Sequence, residues 1–277
     1  MLDILWDALL DTLKLLPFLF LTYAAMEYLE HRWEGGGLLQ KAGRLGPLWG
    51  GLLGAVPQCG FSAAAAGLYA GRVISLGTMF AVFLSTSDEM LPLLLSRGAP
   101  VGEICRILGL KAGAGIVCGF LVDLIHRRPV SNQIDALCDE EHCGCGHRSL
   151  FAAALFHTLE IAVFLLAFNI VLGLLLHYAG EDALRRILTG SPLLSLFLAA
   201  LVGLIPNCAA SVALTTLYLD GLLPFGSMMA GLLVGAGMGL LVLFRLNRRV
   251  KENLLITLAL YGMGVVLGGV MGVLPHG

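Results

Sequence analysis

Gly54-Ala55-Val56-Pro57-Gln58-Cys59-Gly60-Phe61-Ser62 and Gly203-Leu204-Ile205-Pro206-Asn207-Cys208-Ala209-Ala210-Ser211 are two copies of one element, Gly-x-x-Pro-(Gln/Asn)-Cys-x-x-Ser. Each interrupts a long apolar block near its middle. Proline removes a backbone donor and opens the helical ladder, which frees carbonyls and amides at membrane depth. Such groups are tolerated there only where they line a cavity or are buried in protein. Interrupted segments at matching places of two halves are the best sequence pointer to a binding site at the midplane of a transporter. A packed proline kink is the plainer alternative, and the second matched copy weighs against it.

The copies belong to a larger duplication. A shift of 149 residues, the separation of Pro57 and Pro206, aligns 52–94 with 201–243 without a gap, and about a third of the pairs are identical, including Gly54/Gly203, Tyr69/Tyr218, Gly77/Gly226 and Met79/Met228. The same shift pairs Gly113, Gly115 and Gly119 with Gly262, Gly264 and Gly268. A slightly different one sets Ala8–Leu13 against Ala154–Leu159. Repeats of this extent set the fold before any single element does.

The 277 residues are 58% hydrophobic and 13% charged, with a mean hydropathy of +0.88. A soluble domain of this size needs more polar surface, and the charges here gather between apolar runs, so the chain reads as all-α and embedded in a lipid bilayer. A net charge of −2 without basic clusters excludes a nucleic-acid partner. Asp3, Asp7 and Asp11 stand where a secretory signal carries basic residues, so the first residues read as an amphipathic lead-in to the first span.

Apolar blocks cover roughly 4–29, 46–70, 73–95, 101–125, 150–179, 192–219, 224–245 and 251–274. The longest polar connector divides a first repeat, 1–126, from a second, 150–277, with a Cys/His-rich loop at 127–149. Each arm beside Pro57 or Pro206 has about 12 residues, about 18 Å of helix, which reaches partway across a hydrocarbon core of about 30 Å. As re-entrant hairpins these elements leave three full spans per half and inverted halves; as kinked spans they give four and parallel halves. Basic residues divide eleven to four under either topology, so the positive-inside rule does not choose. The inverted arrangement is preferred because it sets two Pro-Cys turns facing each other from opposite leaflets, with both termini outside and the 127–149 loop in the cytoplasm.

Asp88 and Glu89 follow Ser85-Thr86-Ser87 within an apolar block, while the repeat has Gly237 and Met238 in their place. Carboxylates in hydrocarbon are expensive and point to function, here a cation or proton site built once. His157 and Glu160 lie one turn apart and could relay protons or tie helices together, as could their counterparts Asp11 and Lys14. For Lys111 and Asp123, in the fourth block, a plain ion-pair role is expected. Cys59 and Cys208 are the matched thiols; with Gln58, Asn207, Ser62 and Ser211 they could form a weak, reversible site for a soft or borderline metal or a metalloid. The amides that begin the helices after Pro57 and Pro206 suit an anion instead, and both readings stand.

Seven cysteines, three of them inside a short loop, argue for ligands or free thiols over disulfides. In that loop Cys138, His142, Cys143, Cys145 and His147, beside Asp139, Glu140 and Glu141, could capture or sense a metal, although the spacing is not that of a zinc ribbon. No cofactor is indicated.

Through Pro57-Gln58-Cys59, Ser85-Thr86-Ser87-Asp88-Glu89, His157-Thr158 and Pro206-Asn207-Cys208 the chain resembles, over most of its length, the ten-span heavy-metal exporters, relatives of the ArsP-like permeases that are labelled arsenic efflux proteins or manganese transporters. Ten elements fit if each hairpin arm is counted, five per half. The resemblance implies efflux across the bacterial inner membrane, with Cys59 and Cys208 at the substrate site and the loop as a metal collector. Each half has one cysteine after its proline where ArsP-like relatives have a Cys-x-Cys pair in the first half, which weakens an arsenic-specific reading and leaves divalent metals open.

The expected function is therefore a secondary-active exporter of a metal or metalloid ion, coupled to protons at Asp88 or Glu89, since no Walker-type nucleotide-binding stretch is present. An anion carrier is the alternative. An intramembrane metalloenzyme is the third reading, disfavoured because there is no His-Glu-x-x-His motif. A homodimer remains open.

Overall fold

The computed structural model describes residues 45–56, 60–87, 90–126 and 191–273, with isolated helical positions between 9 and 21 and between 155 and 170. The described residues are helical, without strands. The helices are α1 (Gly46–Gly54), α2 (Gly60–Ala70), α3 (Leu76–Ser85), α4 (Met90–Ser96) and α5 (Val101–Ile125), then α6 (Pro192–Gly203), α7 (Cys208–Leu219), α8 (Phe225–Val234), α9 (Gly239–Leu246) and α10 (Val250–Val273). The shift of 149 residues carries each of the first five onto the corresponding one of the second five, to within a few residues at the ends. Among the described residues four stretches are long and apolar enough to cross a membrane: Leu76–Ser96, Val101–Ile125, Phe225–Leu246 and Val250–Val273.

Two of those stretches are not the continuous spans expected of the blocks at 73–95 and 224–245. The helix of the first ends at Ser85 and resumes at Met90. That of the second ends at Val234 and resumes at Gly239. In the second, Gly235 and Gly237 flank Ala236, glycine is costly to hold in a helix, and Gly237 adopts φ +52°. Each half thus contains a Pro-broken segment followed by a second broken helix and one intact helix.

The broken helices occupy the centre and the intact ones the rim. Within Phe225–Leu246 83% of an 18-residue window is buried, against 28% within Val250–Val273. The outer face of α5 exposes Val117, Leu121 and Leu124, and that of α10 exposes Leu255, Leu258 and Val266, as helices bordering lipid would.

Small residues set the helix crossings. A Cβ on Gly119 would lie 2.6 Å from the carbonyl oxygen of Gly77 and 2.9 Å from Ala81 Cβ, while one on Gly268 would lie 2.7 Å from Ala230 Cα. A Cβ on Gly115 would meet the Ala81 carbonyl at 2.6 Å, and one on Gly264 the Ala230 carbonyl at 3.1 Å. These contacts are repeat-equivalent, so α3 on α5 and α8 on α10 are one small-residue packing built twice. Within the pair, Gly77 lies against Gly119 and Asp123, and Ser85 against Gly115, so α3 and α5 run antiparallel.

Among the described residues Asp123 makes no ion pair, where one is expected. Its carboxylate accepts from Ser75 Oγ at 2.7 Å and from the Gly77 amide at 2.8 Å. Ser75 in turn accepts from the Thr78 amide. Carboxylate and hydroxyl together satisfy amides at the start of α3, which carry the positive end of its dipole. Its repeat-equivalent is Gly272, whose Cα lies 2.8 Å from a Cβ built on Gly226, so the second half closes the same crossing by direct backbone contact. Asp123→Ala is expected to cost about 1–2 kcal/mol, the worth of a lost cap with charge-assisted bonds. A lower unfolding midpoint in detergent would register it, and an unchanged midpoint would show that Ser75 caps α3 unaided.

The halves join by exchange of elements. The second arm of each Pro-broken segment barely touches its first arm and crosses to the other half: α2 packs on α9, and α7 on α4. Tyr69 Oη donates to Glu252 Oε1 at 2.5 Å, and the repeat-equivalent Tyr218 Oη donates to Glu103 Oε1 at 2.5 Å. Around the second of these, Arg106 stacks 5.4 Å over the Phe225 ring and Arg97 lies 3.9 Å from Asp220. Reciprocal contacts of this kind follow from the duplication. Across the halves α3 also packs on α8.

Candidate functional site

Helix interruptions from both halves converge on one cavity. The cavity there is lined, among the described residues, by Thr86 and Met90 from the α3–α4 break and by Lys111 from α5. The α6–α7 turn contributes Asn207 and Ser211, and the α8–α9 break contributes Leu232, Gly235 and Gly237. The space open to the centre of a water-sized sphere is about 10 Å³, enough for on the order of one water.

Each part of the wall follows from local sequence. Pro206 ends the ladder of α6, and Asn207 caps α7 by accepting from the Ala209 amide at 2.7 Å. The positive end of α7 therefore opens at the cavity beside Ser211. At the other wall Ser85, Thr86 and Ser87 are buried. Ser85 Oγ donates to the Ala81 carbonyl at 2.7 Å, Thr86 Oγ1 to that of Val82 at 2.7 Å, and Ser87 Oγ to that of Ala55 at 2.8 Å. The first two add a second bond to carbonyls of α3, that of Val82 already accepting from the Thr86 amide, and the last ties the break to the turn that precedes Pro57.

Lys111, for which a plain ion pair is expected, is 1% exposed; its Nζ donates to the Leu232 carbonyl at 2.5 Å and the residue makes a further interaction besides. An ammonium buried at mid-helix is costly and marks function by default. The sequence did carry a signal for it: the repeat-equivalent residue is Leu260, so the charge was introduced at one of two equivalent places.

Of the other expected site residues, Asn207 and Ser211 line the cavity half-buried, and Asn207 is also a helix cap. Ser62 is fully buried, its carbonyl 2.7 Å from a Cβ built on Gly239, and is not among the lining residues. Cys208 begins α7. Gln58, Cys59, Asp88, Glu89, Cys138, His142, Cys143, Cys145, His147, His157 and Glu160 lie outside the described residues. Among the described residues no three His, Cys, Asp or Glu side chains gather to hold a metal. Cys105, on the exposed surface, and Cys118, half-buried in α5, are free thiols.

No curated protein and no solved structure is significantly similar to the chain. A family model matches residues 1–150, which span the first half and the connector, and leaves the second half to be recognised through its duplication. With more than half of its length matched, the chain belongs to the family described as "Putative, 10TM heavy-metal exporter".

Proposed function

We propose that the protein is a secondary-active exporter that moves a heavy-metal or metalloid ion across the bacterial inner membrane by proton-coupled alternating access between two inverted halves, 1–126 and 150–277. The observation that carries this reading is the convergence of three helix interruptions, drawn from both halves, on one cavity with room for a small ion. Midplane sites at the junction of repeats, walled by broken helices, are how carriers bind and release ions without opening a continuous pore.

The contacts at the two ends support inversion. Tyr69 lies a few residues before Ser75, which is bonded to Asp123 near the end of α5, so Glu252 places the start of α10 close to the end of α5. Tyr218 lies a few residues before Gly226, which packs on Gly268 and Gly272 near the end of α10, so Glu103 places the start of α5 close to the end of α10. Two long equivalent helices arranged this way run antiparallel, and an axis that relates them lies in the membrane plane.

In this reading Cys59 and Cys208 bind the cargo with Gln58, Asn207, Ser62 and Ser211. Asp88 or Glu89 carries the proton, with His157 and Glu160 as relay candidates. The 127–149 loop gathers metal through Cys138, His142, Cys143, Cys145 and His147. Thiolates select soft or borderline metals, which fits the family description of a heavy-metal exporter. Calorimetric titration of the detergent-purified chain with Zn²⁺, Mn²⁺, Co²⁺, Cd²⁺ and arsenite tests it. Binding should weaken tenfold or more in Cys59→Ser/Cys208→Ser and persist without residues 138–147. Binding lost only with the loop would make the metal regulatory.

An anion carrier is the second reading, favoured by the start of α7 and the Lys111 ammonium at one cavity. It requires transport that anion analogues inhibit and that Cys59→Ser leaves unchanged.

A further inference from the structure

The break in α8 releases a carbonyl that the helix itself does not use. The Gly235 amide closes the last regular bond on Gly231, and the Ala236 amide turns back to the Val234 carbonyl at 2.7 Å. The Leu232 carbonyl accepts Lys111 Nζ instead, across the boundary between the halves. The equivalent break in the first half is handled differently, since Ser85, Thr86 and Ser87 turn their hydroxyls onto carbonyls of α3 and of the preceding turn. Their counterparts Val234, Gly235 and Ala236 have no hydroxyl, and the counterpart of Lys111 is Leu260. The first break is lined by hydroxyls that bond within its own half. The other receives a cation from the opposite half.

Carbonyl oxygens at the C-terminal end of a broken helix carry the negative end of its dipole and form a cation seat at membrane depth. Lysine suits that seat because it offers a compact point charge on a flexible four-carbon stem, which can leave and return. Lys111 and Leu232 both line the cavity, so a metal ion entering there meets the ammonium at short range. Two like charges cannot share so small a volume.

We propose that the end of α8 is a cation seat, that Lys111 fills it as a tethered ammonium while the carrier is empty, and that an entering metal cation displaces it. The last clause rests on the export reading. The seat itself does not.

Full-length Lys111→Ala, purified in detergent, provides the test. The missing atoms beyond Cβ are those of n-propylammonium, so its chloride should raise the unfolding midpoint of Lys111→Ala saturably and leave wild type unmoved. Lys111→Met keeps the bulk of the stem without its charge. It should ignore n-propylammonium and, with the competing ammonium gone, bind Zn²⁺, Mn²⁺ or Cd²⁺ about tenfold more tightly than wild type. A Lys111→Ala protein indifferent to n-propylammonium would overturn the seat. A Lys111→Met protein whose divalent affinity falls or stays unchanged would overturn the displacement and assign the ammonium to an anion. Because the n-propylammonium response involves no cargo, it can succeed while the cysteine variants refute metal export, and the reverse.

Discussion

Leucine in place of Gly119 or of Gly268 is expected to stop the protein accumulating in the membrane, while leucine at Gly113 or Gly262 leaves its yield and unfolding midpoint near those of wild type. All four glycines stand in the same repeat register on α5 and α10, and composition does not distinguish them. Their surroundings do. A Cβ at Gly119 meets the Gly77 carbonyl and the Cβ atoms of Ala81 and Pro47 within 2.9 Å, and one at Gly268 meets the backbone of Ala230 at 2.7 Å. Those neighbours are helix backbone and short side chains, which cannot move aside without separating the helices. Around Gly113 and Gly262 nothing lies within 4 Å. Overpacking of a well-fitted core costs about 1–3 kcal/mol for added methylenes, and a leucine that forces backbones apart exceeds that, against a total stability on the order of 10 kcal/mol. Yield in the membrane fraction and unfolding in detergent measure both effects. Equal tolerance at all four positions would refute the small-residue packing of α3 on α5 and of α8 on α10.

Those glycines show what could be read from the sequence and what could not. The shift of 149 residues came from identities around Pro57 and Pro206, and it carries every described helix of one half onto a helix of the other. Periodic apolar blocks and a proline are local signals, so the intact helices and the Pro-broken segments were legible. The second interruption was less so, because Gly235-Ala236-Gly237 lies inside an apolar run and glycine breaks a helix only where neighbours supply the missing bonds. For Asp123 and Lys111 a plain ion-pair role is what one helix suggests, whereas Ser75, Gly77 and the Leu232 carbonyl, which they bond, belong to other segments. The pairing of helices across the halves is a tertiary property that no single segment encodes. One trace of it was nevertheless available, since Tyr69 and Tyr218 recur at the repeat shift and so do Glu103 and Glu252. When donor and acceptor are both duplicated, a bond between the halves forms twice.

That duplicated bond supplies the sharpest test of how the halves are arranged. Tyr218→Phe should make the cavity accessible from one side of the membrane, and Tyr69→Phe should make it accessible from the other. Each substitution removes only the hydroxyl that donates at 2.5 Å to a carboxylate, Glu103 in the first case and Glu252 in the second. A hydrogen bond to a charged group contributes about 1.5–3 kcal/mol, so its loss from a closed end shifts an open–closed equilibrium by about ten- to a hundredfold. Ser211 lines the cavity and serves as the reporter. As Ser211→Cys, in a chain whose seven native cysteines are replaced by serine, it can be labelled with a membrane-impermeant maleimide in right-side-out and inside-out vesicles. Inverted halves put the two Tyr–Glu pairs at opposite ends of the cavity, so the sidedness of labelling should reverse between the variants, with a rise of about tenfold or more on the newly opened side. Labelling that rises from the same side in both would mean parallel halves and overturn the inverted reading. Labelling that changes in neither would make the two pairs static struts, and the opening of an alternating-access carrier would have to occur elsewhere, with the cluster of Arg97, Arg106, Asp220 and Phe225 as the next place to cut.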